Sequence, residues 1–205
     1  MRSKLSLTTA RAATIFDEAL GVRRELYSDS SFFKMTDVWA EICDDGGLWN
    51  IRTYRTEKLE DYQLRAGVVV FGDRLTLTTD ERLFENARKG CKLSNYILAH
   101  ELGHVILNHH ATGAMVKNFQ LFAGPNGMSN LPPTTEELEA NFAAVCFQCG
   151  VSLMDQRWDA TSLAHRSYSD VGYIRKAQRM VQLEAFQKEL ARLCPKKQRY
   201  PRVIL

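Results

Sequence analysis

The chain has 205 residues, 45% hydrophobic and 25% charged, with a net charge of +3. These values suit one globular domain with a sizeable core and exclude a disordered or fibrous chain. No apolar run approaches the roughly 20 residues of a membrane helix, and "MRSKLSLTTARAATIF" lacks the apolar centre of a secretion signal, so a cytoplasmic protein without a membrane partner is expected.

Ile15, Phe16, Ala19, Leu20 and Leu26 recur at helical spacing and predict a first helix over Thr9–Leu26. A second, over 36–42, carries Val38, Trp39 and Ile42 on one side and stops at "DDGG". The period then changes. "LWNIRTY", "GVVVFG" and "RLTLTT" read as strands, the last two joined by a two-residue turn at Gly72 and Asp73, so a small antiparallel sheet is expected. Ser94 suits the N-cap of a helix over 95–109, with Ile97, Leu98, Val105 and Leu107 as its apolar contacts. Residues 111–133 read as a long loop. A helix starts near Thr134, and a last amphipathic helix spans 170–193. The domain is expected to cover 1–193 and to be followed by a basic tail, 194–205. From Val171 onward nine Lys or Arg stand against two Glu, which reads as a solvated face and end without direct nucleic-acid binding.

The helix over 95–109 holds His100, Glu101 and His104, the HExxH pattern. Residues four apart lie one turn above each other, so both imidazoles can reach one tetrahedral ion. Zinc suits such nitrogen and oxygen ligands, and Glu101 stands beside them to take a proton from the attacking water. The bland alternative is a pair of core histidines bonded to backbone carbonyls.

Two kinds of third ligand present themselves. His110 has the spacing of HExxHxxGxxH, but Leu107 stands where that pattern turns on glycine, and His109 and His110 also suit a helix C-terminus. On the next helix lie Glu136, Glu137 and Glu139. Glu137 and Asn141 share a face, so one can bind metal while the other hydrogen-bonds a liganding histidine. Glu137 also sits three residues after Thr134, as in a capping box, which would occupy its carboxylate and leave Glu139 as the substitute.

"AHELGHVILNH" followed by "EELEANFAA" resembles the ImmA/IrrE family of zinc metallo-endopeptidases over about residues 94–145. The resemblance implies an α+β, zincin-like (gluzincin-like) fold with the HExxH helix at the active site. It implies Zn2+ held by His100, His104 and Glu137, with Glu101 as general base. It further implies a protein substrate, a DNA-binding helix-turn-helix repressor of stress-response or mobile-element genes. Rival expectations are a metzincin-like protease using His110 and a non-catalytic, zinc-containing regulator that binds a partner. Tyr96, His165 and Tyr168 are candidates for stabilising an oxyanion. Five scattered cysteines suggest reduced thiols, and Cys146 and Cys149, three residues apart on a helix, read as small buried side chains.

Overall fold

Thr8 starts the first helix by accepting the Arg11 N–H on its Oγ1 at 3.2 Å, and α1 runs over Thr9–Leu26. The computed structural model describes residues 6–43, 47–55, 66–71, 73–109, 123–124, 127–128 and 134–193. The basic tail, His110 and most of the expected loop over 111–133 lie outside the described residues. One face of α1 is buried through Ala12, Ala13, Ile15, Phe16, Ala19 and Leu20, and it packs chiefly on two later helices. α2 (Met35–Ile42) buries Val38 and Trp39, and the Trp39 indole N–H donates to Leu98 O at 3.1 Å.

Three strands follow: β1 (Trp49–Tyr54), β2 (Ala66–Phe71) and β3 (Arg74–Asp80). β2 and β3 form the expected antiparallel hairpin, with Phe71 opposite Arg74. The sheet as a whole is mixed, which corrects the antiparallel expectation. β3 lies in the middle, and β1 pairs with it in parallel, Trp49 opposite Leu75 and Tyr54 opposite Asp80. Two chain reversals separate β1 from β3, so these neighbours run the same way. Alternating burial along a strand fixes its faces and carries no information about which strand lies beside it.

Asp80 ends β3 and caps α3 (Glu81–Arg88), accepting the Arg82 N–H at 2.8 Å. Gly90, at φ +90°, turns the chain into α4 (Lys92–Ile106). Ser94 is therefore inside the helix rather than its cap. The turn at Gly90 lets the helix begin at Lys92, and the Ser94 hydroxyl is buried with no hydrogen-bond partner. Asn95 ties this corner together, accepting Met35 N–H at 2.7 Å and donating to Ala87 O and Cys91 O. Every residue of α4 from Ser94 to His104 is buried, as expected of a helix enclosed on all sides.

Where a loop over 111–133 is expected, β4 (Ala123–Gly124) pairs with β5 (Gly127–Met128). α5 (Thr135–Cys149) is the main partner of α4 and also packs on α1. A 3-10 turn at Gly150–Leu153 leads to α6 (Ala160–Arg166) and α7 (Val171–Val181), whose N-caps are Asp159 and Asp170. The expected helix over 170–193 is broken into α7 and α8 (Glu184–Leu193). The break turns Phe186 into an edge-on contact with Phe16 of α1 at 5.8 Å, and Gln187 Nε2 takes up the Val181 carbonyl at 2.5 Å. The protein is thus mostly helical α+β with a small mixed sheet. No helix among the described residues is long and apolar enough to cross a membrane.

Candidate metal centre

α4 presents His100 and His104 to the first turn of α5, which carries Glu137. The two Nε2 atoms are 3.0 Å apart. Glu137 Oε2 is 3.1 Å from His100 Nε2, and Oε1 is 3.5 Å from His104 Nε2. One ligand atom from each residue falls within 4.8 Å of the others. Both histidines are buried, while the Glu137 side chain is 30% exposed and lies nearest solvent.

Gly103 sets how closely the helices meet. A Cβ there would lie 2.7 Å from Ala140 O, so the α5 backbone occupies the space a side chain would need. Thr134 positions Glu137 by accepting its backbone N–H at 3.1 Å, while the carboxylate is directed to the histidines instead of its own helix start. Cap position and candidate ligand are therefore compatible.

The outward nitrogens are also held. His100 Nδ1 is 3.0 Å from Asn141 Oδ1, which accepts the Tyr96 hydroxyl at 2.5 Å. An amide oxygen only accepts, so His100 carries its proton on Nδ1 and its lone pair on Nε2. His104 Nδ1 is 2.9 Å from His109 Nδ1. Asn108 makes that contact: at φ 54° it takes the left-handed conformation that asparagine tolerates just past a helix, and His109 folds back under His104. His109, just past the end of α4 as expected, is thus also a buried partner of His104. Its Nε2 is 3.2 Å from Glu139 Oε2, and Glu139 receives Arg11 Nε at 3.0 Å and Nη2 at 2.6 Å. Glu139 engages Arg11 and His109, and it is Glu137 that joins the histidine pair.

Burial lowers His104 from 6.5 to about 4, against the pull of Glu137, so its imidazole is neutral at pH 7. Burial alone would raise Glu137, but the imidazoles of His100 and His104 facing its oxygens outweigh it and hold the carboxyl well below its usual range. Glu101 differs. It is fully buried, and neither carboxylate oxygen has a hydrogen-bond partner. Burial, then the charge of Glu137, push it well above the carboxylate range; the Val68 backbone N–H of β2 faces it without reaching hydrogen-bond geometry and offsets this only in part.

The atoms that converge are two imidazole Nε2 and a carboxylate oxygen, and His100, with its proton on Nδ1, brings a lone pair to them. Acceptors about 3 Å apart repel unless a cation lies among them. Two nitrogens and one oxygen are a donor set that zinc accepts, so the arrangement is consistent with an HExxH-plus-glutamate zinc site.

Of the other candidates, Tyr96 reaches the cluster through Asn141. His165 is exposed on α6, and the Tyr168 ring covers Gly90, so neither joins it. Cys146 and Cys149 are buried, and burial raises both thiols, Cys149 to about 12. Sequence reasoning missed Arg11, the partner role of His109, and Tyr173 of α7, whose ring stacks on Tyr96 at 4.7 Å. Asn108, directly after the apolar pattern of α4, was the available signal for the turn. Arg11 offered none, being 128 residues from Glu139. No family model matches the chain, and no curated protein or solved structure matches it either.

Proposed function

We propose that the protein is a zinc-dependent endopeptidase with a zincin-like fold, similar to the ImmA/IrrE family. The observation that carries this reading is the position of Glu101: a buried carboxyl whose oxygens make no hydrogen bond, on the same turn of α4 as His100 and His104, which converge with Glu137 of α5. Zinc held by those three would supply Lewis acidity toward the attacking water and the scissile carbonyl. Glu101 accepts the proton of that water and returns it to the leaving amine. Burial raises its proton affinity, which suits the stage at which it returns the proton as an acid. Asn141 and Tyr96 keep His100 in the tautomer that exposes Nε2.

β2 packs on α4 and, among the described residues, pairs on one side only, with β3. A peptide can add there as a further strand, recognised chiefly through its backbone. That the peptide belongs to a helix-turn-helix repressor rests on the family resemblance, which is analogy.

The test measures zinc content and cleavage of such a repressor together, for the wild type and Glu101→Gln. One zinc per chain is expected in both. Cleavage should fall by about 10²–10⁴-fold in the variant, because an amide cannot accept the proton. Wild-type cleavage by Glu101→Gln would exclude the mechanism. Tight repressor binding without cleavage by either protein would replace the enzyme with a binding regulator.

A further inference from the structure

We propose that His109 is a positioning residue for His104, and that Arg11 of α1 acts on the metal centre through it. The inference rests on the metal reading above and adds a fixed direction to the hydrogen bonds behind one ligand. Arg11 donates to both oxygens of Glu139, at 3.0 and 2.6 Å. A carboxylate paired with guanidinium in this way only accepts. His109 Nε2, 3.2 Å from Glu139 Oε2, must therefore be a donor. A neutral imidazole with its proton on Nε2 has its lone pair on Nδ1, and that is the atom 2.9 Å from His104 Nδ1. His104 must then donate from Nδ1, which leaves its lone pair on Nε2, directed at His100 Nε2 and Glu137.

Along the chain from Glu139 to His104, any other arrangement of neutral imidazoles sets two protons or two lone pairs against each other, whereas the lone pairs left facing one another at His100 and His104 are those a cation would take. The chain from Arg11 to His104 thus selects one tautomer of the ligand and holds its ring in place. His104, His109 and Glu139 are 1%, 5% and 9% exposed, so water competes little for these bonds. His100 has its own support, Asn141 and Tyr96, on the other side of the site. Among the described residues the two ligands are oriented by separate chains of hydrogen bonds, and that of His104 reaches α1.

The test compares wild type, His109→Leu, His109→Gln and Arg11→Gln by zinc titration against a chelator, by imidazole ¹⁵N spectra of the zinc-loaded proteins, and by thermal melting. His109→Leu should lose about 10–100-fold in zinc affinity, and the protected His104 Nδ1–H signal should disappear. His109→Gln can accept from His104 and donate to Glu139, so its affinity should stay within about twofold of wild type. Arg11→Gln touches no ligand and should still lose about threefold or more, a loss absent when His109 is already leucine. If His109→Leu fails to fold, the opposed expectations for Arg11→Gln and His109→Gln decide the matter. Zinc bound as tightly by Arg11→Gln and by whichever leucine protein folds, with the His104 signal unchanged, overturns the inference and leaves the metal reading standing. A wild-type protein that binds no zinc overturns both.

Discussion

A buried carboxyl without a partner keeps its proton, and a buried imidazole gives one up. Glu101 and His104 show these opposite shifts within one helix turn, and they act oppositely on stability. In metal-free protein, His104 falls to about 4 from 6.5 in the unfolded chain. Between those values the unfolded chain binds a proton that the folded chain does not, so stability rises with pH. Glu101, raised by burial, retains a proton that the unfolded chain loses above about 4.5, so its contribution falls as pH rises. Denaturant midpoints in excess chelator should therefore climb between pH 4 and 6.5 more steeply in Glu101→Gln than in wild type. Parallel profiles would show that Glu101 does not hold its proton. The HExxH residues were legible in the sequence because a four-residue spacing on one helix fixes their relation. The function of His109 was not, since it depends on the backbone turn at Asn108 and on an arginine far away in the chain.

Helix periodicity gave α1 its bounds, and the Thr134 cap placed the start of α5, because both signals are local. The neighbour order of the strands and the break between α7 and α8 depend on contacts with distant elements, Leu75 with Trp49 and Phe186 with Phe16. The packing of α4 on α5 is likewise non-local, and Gly103 is its most sensitive point. In Gly103→Ala the new methyl would meet Ala140 O at 2.7 Å, and backbone cannot step aside. Alanine gains about 1 kcal/mol of helix propensity, while overpacking costs about 1–3 kcal/mol. Stability should thus change by about 0 to −2 kcal/mol, whereas zinc affinity, which feels only the displacement of Glu137 from the histidines, should fall clearly. Unchanged affinity in a folded variant would show that this contact does not set the ligand spacing.

Across the whole molecule, α1 joins the two ends of the described chain to its centre. At its C-terminal end Arg23 is fully buried, with Nη1 on Phe147 O and Gln148 O and Nη2 on Ser31 O, and its guanidinium 4.7 Å from the Phe33 ring centroid. Arg23→Met would leave those carbonyls without their donor, and each buried orphan costs about 1–3 kcal/mol. A loss of roughly 3 kcal/mol or more is expected in urea unfolding; a loss below about 1 kcal/mol would mean that other donors replace the guanidinium. Arg11, near the start of the same helix, has a consequence in time. Its partner Glu139 comes 128 residues later, roughly 6–26 s of translation at about 5–20 residues per second. A growing chain carries His100 and His104 before it has Glu137 or the anchor for His109. On the peptidase reading, a chain cut short by premature termination before α5 is unarmed, and the ability to cut other proteins arrives only once α5 has joined α1 and α4.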